Sequence, residues 1–164
     1  MTEGGRPRLT FFFPAFNEEE NVEETVRRAL AEVGPLVDGS IEVLIVDDGS
    51  SDRTPELADA LAAGEPRVRV HHQPNRGYGG ALRAGFANAT GEFIGFSDGD
   101  LQFDLHEMSR LLDRLGDRGR PRVGAVIGYR IRRRDPPHRI FIAKTYNAIV
   151  SVLFGLRVRE SIAP

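Results

Sequence analysis

The sequence predicts an α/β domain built around a mostly parallel sheet, and two features of the chain carry that prediction. Short apolar runs alternate with longer stretches whose apolar residues recur at helical spacing. The short runs are apolar at consecutive positions, as in strands that helices cover on both faces. With 164 residues, of which 40% are hydrophobic and 28% charged, the chain is long enough for one such domain.

The first strand and helix are predicted near the N-terminus. Residues 9–13, which read Leu-Thr-Phe-Phe-Phe, have the bulk and apolarity of a buried strand. Asn17 is expected to cap the next helix, because Glu20 completes the spacing of a capping box. The glycine and proline at 34–35 are expected to end that helix.

The middle of the chain predicts two more strands and two helices. Residues 41–46 form the second strand, and Thr54 is expected to be the N-cap of the next helix, with Pro55 in its first turn. Residues 68–72 form the third strand, and residues 80–89 the third helix.

The last part of the chain predicts two strands and two helices. The fourth strand covers residues 93–96, and a helix follows at about 105–115. A fifth strand is expected at 123–127 and a final helix at 139–154. Acidic or glycine-rich clusters follow several of the strands, where α/β sheets bind their ligands.

An acidic turn follows the fourth predicted strand, with Gly99 between Asp98 and Asp100. Residues two apart in an extended segment point to the same side, so both carboxylates can face one ligand. With Gln102 nearby, they offer the hard oxygen donors that Mg2+ or Mn2+ prefers. An isolated Asp-Gly-Asp is more typical of an ordinary turn, but its place at the end of a strand favours a metal site.

Two glycine-containing motifs suggest other activities and match them incompletely. Residues 95–99 fit the G-x-S-x-G elbow of hydrolases, yet neither His106 nor His138 has an acid partner in the required order. Residues 77–80 suggest a dinucleotide fingerprint, but Leu82 occupies the place of its third glycine. A tight turn into a helix explains those glycines better, with a phosphate at the helix start left open.

Composition excludes several other classes of function. A net charge of -2 argues against a general nucleic-acid binder, and the lack of cysteine excludes disulfides and thiolate chemistry. The four histidines lack metal-ligand spacing, and the adjacent His71 and His72 are expected on opposite faces of their strand. No apolar stretch approaches the roughly 20 residues of a membrane span. The lack of cysteine suits a reducing compartment, and we expect a cytoplasmic protein.

Four motifs in this order resemble the inverting glycosyltransferases with the GT-A fold, in particular the dolichyl- and polyprenyl-phosphate sugar synthases. The motifs lie at residues 13–18, 46–52, 75–86 and 98–102. Each is weak alone, and their order makes the resemblance specific. It implies a three-layer, Rossmann-like GT-A fold over residues 9–164, short at its C-terminus, after a flexible segment at 1–8.

The resemblance also implies a role for individual residues. Those expected at the nucleotide sugar are Pro14, Phe16, Glu18, Asp47, Asp48 and Asp98. Phe16 stands where the family often has tyrosine, so the aromatic face is kept and a hydroxyl is lost. Either Asp47 or Asp48 accepts a hydrogen bond from the base, and the sequence does not distinguish them. Asp98, Asp100 and Gln102 hold the metal and the diphosphate, with Asp100 catalytic.

Two arginines complete the implied site. Arg130 and Arg139 are expected at the donor diphosphate and the acceptor phosphate, which the guanidinium fork suits. The arginines at 132–134 are expected in a solvated loop or against an anionic membrane surface. Family members often have a serine one turn after the second arginine, where this chain has Ala143 followed by Lys144.

The implied reaction moves a hexose from a GDP- or UDP-linked donor to a polyprenyl or dolichyl phosphate, with Mg2+ or Mn2+ as cofactor, at the cytoplasmic membrane face. An ionised phosphate needs no general base, and no carboxylate stands out as one, which favours this acceptor over a hydroxyl.

A hydroxyl acceptor and a non-catalytic nucleotide-sugar binding module remain the alternatives. A nucleotidyltransferase would need a glycine- and lysine-rich loop after the first strand, which is absent. The sequence ends before a further family segment, so we expect a truncated form or a differently built acceptor side.

Overall fold

The computed structural model describes residues 5–97, 108–116, 126, 145, 148–149 and 152–153. The chain divides into two units after Asp113, and the fold described here belongs to the first. Of the second unit, the structure describes the end of one helix and single residues, of which 145, 148–149 and 152–153 are helical. Except for residue 126, the fifth strand predicted at 123–127 lies outside the described residues, as does most of the final helix predicted at 139–154.

A parallel sheet with helices between its strands forms the first unit. Its elements are β1 Leu9–Ala15, α1 Val22–Arg28, β2 Ile41–Asp47, α2 Thr54–Gly64, β3 Val68–His72, α3 Gly77–Asn88, β4 Phe93–Phe96 and α4 Met108–Gly116. The four strands are parallel in the order β3-β2-β1-β4, with Leu9 opposite both Ile41 and Phe93. The order reverses beside β1, and α/β sheets bind ligands at such a reversal, past the carboxyl ends of the strands.

Both faces of the sheet are covered, which explains why β1 is apolar at consecutive positions. Phe11 and Phe13 point into one core, which holds the apolar residues of α1, α2 and α4. Phe12 points into a second core on the opposite face, where it meets Ala81 of α3. The alternation follows from the twofold period of a strand. The predicted α/β architecture with a parallel sheet between helical layers is therefore confirmed.

The predicted start and end of the first helix are wrong. Asn17 has a φ of 57° and lies in a loop, where its side-chain oxygen accepts a hydrogen bond from the Ser51 backbone nitrogen. Helix α1 instead begins at Val22, after Asn21. Gly34 does not end it, because the chain continues through a π-helical turn (Ala29–Val33) and a 3-10 turn (Gly34–Val37). Proline is tolerated in a first helical turn, where its missing N–H needs no partner.

The starts of α2 and α3 also differ from the prediction. Helix α2 includes Thr54, whose hydroxyl accepts a hydrogen bond from the Glu18 backbone nitrogen at 2.8 Å instead of capping its own helix. Helix α3 begins at Gly77, three residues before the predicted start. Gly77 has a φ of 72°, a conformation that glycine adopts at no steric cost, so the chain turns directly into the helix there.

A buried carboxylate organises the amino-terminal edge of the sheet. Glu42 in β2 accepts hydrogen bonds from the Thr10 hydroxyl at 2.5 Å, the Thr90 hydroxyl at 3.0 Å and Arg69 Nη1 at 2.6 Å. Burial alone would raise the pKa of Glu42, but the hydrogen bonds from Thr10, Arg69 and Thr90 together lower it. The sequence predicted residues 41–46 only as a strand and indicated no role for Glu42. The structure assigns it a role in joining β1, β2, β3 and the turn before β4.

Replacing Glu42 with glutamine should therefore destabilise the fold. We expect a loss of about 2–4 kcal/mol at pH 7, because hydrogen bonds to a charged group contribute about 1.5–3 kcal/mol each and are not fully additive. Since the folded pKa is lowered, the carboxylate's contribution is present above its unfolded pKa and is lost as the pH falls through the folded value. Urea unfolding at pH 7 and about pH 3 measures both effects.

Glu92, an exposed carboxylate just before β4, provides the matched control. Glu92→Gln should leave the unfolding free energy within about 0.5 kcal/mol of the native value, as is usual for surface substitutions. Equal stability of the Glu42→Gln and Glu92→Gln variants at pH 7 would contradict the role given to Glu42.

Candidate functional site

Three loops meet at the carboxyl edge of the sheet, and each follows one strand. Loop 1 comprises residues 16–21 after β1, loop 2 residues 48–53 after β2, and loop 3 residues 73–76 after β3. The strand pairing extends one residue into two of the loops. The Asp48 nitrogen donates to the Ala15 oxygen at 2.9 Å, and the Gln73 nitrogen donates to the Asp47 oxygen at 3.0 Å. The loops therefore begin from a fixed edge.

Asn17 joins loop 1 to loop 2. Its backbone nitrogen donates to Ser50 Oγ at 3.0 Å, and its side-chain oxygen accepts from the Ser51 nitrogen at 2.8 Å. Asparagine tolerates the left-handed conformation that this geometry requires better than most residues do. A second link runs from the Glu19 nitrogen to Asp52 Oδ2 at 3.1 Å. Together these contacts hold the two loops in one arrangement.

The three predicted residues of β1 and loop 1 have different surroundings. Pro14 is half-buried in β1, opposite Val46 of β2. Glu18 is also half-buried, and its Oε2 accepts a hydrogen bond from Asn21 Nδ2 at 2.7 Å. Phe16 is 49% exposed at the carboxyl end of the sheet. An aromatic ring this exposed offers a face for stacking, whereas Pro14 and Glu18 belong to the framework around it.

The two adjacent aspartates at the end of β2 are both buried but differ in their partners. Asp47, the last residue of β2, is 3% exposed. Its Oδ1 accepts from the Ser50 nitrogen at 3.0 Å, and its Oδ2 lies 2.8 Å from His72 Nδ1. Both carboxylate oxygens of Asp47 are therefore engaged within the protein.

Asp48 uses only one of its carboxylate oxygens within the described structure. Its Oδ1 accepts from Gln73 Nε2 at 2.6 Å and from the Arg76 nitrogen at 2.8 Å. No described residue donates to its Oδ2, and no buried side-chain polar atom in that part of the chain lacks a hydrogen bond. Oδ2 must therefore reach the surface, although the residue as a whole is only 4% exposed. Oδ2 is therefore an acceptor that solvent can reach, and the two hydrogen bonds to Oδ1 hold its carboxylate in place.

Gly49 allows loop 2 and loop 3 to approach each other closely. Its φ is 73°, and a Cβ at this position would lie 2.6 Å from the Asn75 backbone nitrogen. Both observations require glycine here. The motif at 46–52 thus contains Gly49, which the close packing of the two backbones requires, as well as residues that bear functional groups.

His72, Gln73 and Asp59 also belong to this edge and were not expected from the sequence. From the sequence, His71 and His72 were considered only as metal ligands or as residues on opposite faces of their strand. His71 is half-buried and His72 is exposed, which confirms their different environments. The register between β2 and β3 would have predicted the contact between His72 and Asp47, because it places the two residues directly opposite each other.

The remaining predicted site residues lie outside the described part of the chain. They are Asp98, Asp100, Gln102, Arg130 and Arg139. The last described residue before them is Ser97, whose nitrogen donates to the Phe12 oxygen at 3.3 Å, beside β1. Among the described residues, no cluster of three or more histidines and carboxylates could hold a metal ion. Nor does any helix in the described ranges have the length and apolarity to cross a membrane.

The family of the chain follows from its match to a family model. Residues 10–159 match the model of glycosyl transferase family 2, and this range includes the four described strands except Leu9. The chain belongs to glycosyl transferase family 2. The resemblance found in the sequence is thereby confirmed at the level of the family.

Relatives of this family 2 chain include enzymes of prokaryotic sugar transfer. It is 32% identical over 163 residues to glycosyltransferase AglD of Haloferax volcanii, covering 93% of this chain and 25% of that protein. It is 34% identical over 150 residues to the undecaprenyl-phosphate 4-deoxy-4-formamido-L-arabinose transferase of Sodalis glossinidius, covering 90% and 44%. The chain thus spans less than half the length of these two relatives.

Solved structures of glycosyltransferases share the fold. The mannosyltransferase PcManGT from Pyrobaculum calidifontis, in complex with GDP-Man and Mn2+, matches with a TM-score of 0.59 and 27% identity, over 69% of this chain and 33% of that one. Glucosyl-3-phosphoglycerate synthase from Mycobacterium tuberculosis, in complex with Mn2+, UDP and its product, matches with a TM-score of 0.50 and 30% identity, over 68% and 40%. The predicted GT-A fold is confirmed.

Proposed function

We propose that this domain moves a hexose from a GDP- or UDP-linked donor to a polyprenyl or dolichyl phosphate. The observation that carries the donor half is the carboxyl edge of the sheet. Exposed Phe16 and the solvent-accessible Oδ2 of Asp48 both lie in loops that start there. Family membership supports sugar transfer, and the name of the undecaprenyl-phosphate relative supports the lipid-phosphate acceptor.

The base of the nucleotide is proposed to bind between these two groups. A nucleobase has a flat face that stacks on an aromatic ring and an N–H edge that donates to a carboxylate. Phe16 supplies the ring and Asp48 Oδ2 the acceptor. Asp47 is proposed to support the site from within the protein, because it is buried and each of its oxygens has a partner there, Ser50 or His72. Pro14 and Glu18 shape loop 1 around the base.

A divalent cation is proposed to hold the donor diphosphate. Asp98, Asp100 and Gln102 offer oxygen ligands, the donor set that Mg2+ and Mn2+ take in proteins, and the two solved neighbours described above were determined with Mn2+. When bound, the ion offsets the charge that develops on a departing nucleoside diphosphate. Asp98 and Asp100, which follow β4 in the chain, would orient the diphosphate.

The acceptor is proposed to bind through Arg130 and Arg139. Each guanidinium can pair with two phosphate oxygens, which suits both a donor diphosphate and a lipid phosphate. The arginines at 132–134 would attract the chain to an anionic membrane face, where such a lipid resides. We propose the cytoplasmic side of the membrane as the place of the reaction.

Replacing Asp100 with alanine should remove the metal-dependent part of nucleotide binding. We expect affinity for the preferred nucleoside diphosphate in the presence of Mn2+ to fall at least tenfold, since even loss of an outer-shell partner weakens metal binding by about 10- to 100-fold. Calorimetry with UDP, GDP and their sugars, with and without Mn2+, measures this directly. Asp113→Ala, an exposed carboxylate in α4, is the control and should bind as the native chain does. Binding that ignores both Mn2+ and the substitution would refute the metal site.

The acceptor is tested separately by transfer of a radiolabelled sugar. The native chain should label polyprenyl phosphate and leave a polyprenyl alcohol of the same length unlabelled. Transfer to a hydroxyl acceptor alone would overturn the lipid-phosphate proposal while leaving the donor site intact. Tight nucleotide-sugar binding with no transfer to either acceptor would favour the non-catalytic binding module instead.

A further inference from the structure

His72 lies between two carboxylates that come from different elements. It is the last residue of β3 and is paired with Asp47 of β2 in the strand register. Its Nδ1 lies 2.8 Å from Asp47 Oδ2, and its Nε2 lies 3.1 Å from Asp59 Oδ1 in α2. Carboxylate oxygens only accept hydrogen bonds, and a neutral imidazole has a single N–H. Both contacts are therefore hydrogen bonds at the same time only when His72 is protonated.

The two carboxylates differ in how much they need the histidine. The Asp47 side chain is 4% exposed, whereas that of Asp59 is 69% exposed. A buried carboxylate that loses a donor is left unsatisfied, while an exposed one turns to water. The single proton of a neutral imidazole should therefore stay on Nδ1, toward Asp47. Deprotonation then releases the contact with Asp59, which is the direct link from His72 to α2.

The contact between His72 and Asp47 matters because Asp47 holds the start of loop 2. Asp47 Oδ1 accepts the Ser50 nitrogen at 3.0 Å, so its carboxylate connects His72 to the turn that follows Asp48. On the other side of Asp48, loop 3 supplies Gln73, the residue immediately after His72, at 2.6 Å. A movement of His72 would therefore reach Asp48 both through Asp47 and through Gln73.

We propose that His72 is a positioning residue, which fixes Asp47 from β3 and α2 and thereby aims Asp48 Oδ2 at the base of the nucleotide. This proposal rests on the donor site of the proposed function for its effect on binding. The link between the charge of His72 and the shape of loop 2 does not depend on that function and can be measured without a ligand.

The charge state of His72 gives the proposal a pH dependence. The hydrogen bond with Asp47 raises the pKa of His72, burial partly opposes this, and the contact with Asp59 raises it further. The support from the imidazolium is therefore complete below the ordinary histidine pKa and is lost as the pH rises through the raised value. Within the described part of the chain, the charged groups in contact with the ring are Asp47 from β2 and Asp59 from α2, while His71 lies on the opposite face of β3.

The first experiment follows the protein alone by NMR between about pH 5 and pH 9, the range in which histidine titrates. The Ser50 amide and the His72 ring carbons should titrate with one midpoint. Asp59→Asn removes the negative charge beside His72 Nε2. Both midpoints should then shift to lower pH, because the protonated imidazole loses a favourable neighbour. His72→Gln should abolish the Ser50 transition, and the control His71→Gln should leave it unchanged. A Ser50 amide that does not follow His72, or a midpoint insensitive to Asp59→Asn, would overturn the proposal.

The second experiment measures affinity for UDP and GDP with Mn2+ over the same pH range. Affinity should fall roughly threefold to tenfold through the His72 midpoint, the range that one hydrogen bond supports. The nucleotide phosphates also titrate and change the affinity of both chains. The effect of His72 is therefore the difference between the pH profile of the native chain and that of His72→Gln, in which no imidazole titrates at position 72. If neither nucleotide binds at any pH, the proposed donor site fails and the NMR result still decides the positioning role. If nucleotide binds with the same pH profile in both chains, the positioning role fails and the donor site stands.

Discussion

Replacing Asp48 with asparagine should weaken nucleotide binding by roughly 10- to 100-fold, because a hydrogen bond to a charged group contributes about 1.5–3 kcal/mol. The substitution is nearly isosteric. The asparagine oxygen can still accept from Gln73 Nε2 and the Arg76 nitrogen, as Asp48 Oδ1 does. The amide nitrogen then replaces Oδ2, so the accessible acceptor becomes a donor where the N–H edge of the base is proposed to bind. Calorimetry with UDP and GDP measures the loss.

Asp38→Asn makes the same chemical change at a position that should not matter for binding. Asp38 ends the 3-10 turn before β2 with a φ of 54°, which asparagine also tolerates, and its side chain is 93% exposed. It lies at the amino-terminal edge of the sheet, away from the loops discussed here. Equal nucleotide affinity of the Asp48→Asn and Asp38→Asn variants, with both chains folded, would exclude Asp48 from the base site.

The strands could be predicted from the sequence because their pattern has one cause. Helices cover β1 and β2 on both faces, so nearly every residue of these strands is apolar and the runs stand out. Three of the four described strands begin and end within one residue of the prediction. Strand β1 extends two residues further, through Pro14, since β2 pairs with it as far as Ala15. An apolar run indicates that a strand exists, and the pairing partner sets its end.

The helix starts were less predictable because polar side chains have several possible partners. Asn17 and Thr54 both fit the sequence pattern of an N-cap. In the structure Asn17 binds Ser51 and Thr54 binds the Glu18 nitrogen, so both join loop 1 to the segment after β2. Residues more than 30 positions apart supply these partners. No local pattern contains that information.

The same limit applies to the candidate site. The sequence located an acidic cluster at the end of β2 but could not distinguish Asp47 from Asp48, which are adjacent and chemically identical. Their difference arises from their neighbours, since β3 places His72 against Asp47 and loop 3 places Gln73 against Asp48. The metal motif and the two arginines lie outside the described residues and remain predictions from resemblance.

Replacing Gly85 with alanine should destabilise the fold, although the same change usually stabilises a helix. Alanine is favoured over glycine by about 1 kcal/mol in a helix interior. A Cβ on Gly85 would, however, overlap the ring of Phe12, which is fully buried in β1. That ring is held from other sides by Phe86 and Phe96, with centroids at 5.2 and 5.5 Å, so it has little room to move. Overpacking typically costs about 1–3 kcal/mol and occasionally more.

The net result should be a loss of about 1–2 kcal/mol in the free energy of unfolding, because an overpacking cost in the upper part of the range of about 1–3 kcal/mol exceeds the helix preference of about 1 kcal/mol. Gly79→Ala in the same helix is the matched control, because a Cβ there meets no atom within 4 Å, and it should stabilise the fold by up to about 1 kcal/mol. Urea unfolding followed by circular dichroism compares the two. In a Phe12→Leu background the cost of Gly85→Ala should shrink, because the smaller side chain vacates part of the space, and the difference is the coupling between the two sites. Equal changes in stability, of the same sign, for the two glycine substitutions would contradict this account. Helix preference alone would then determine the effect at Gly85, and close packing against Phe12 would not.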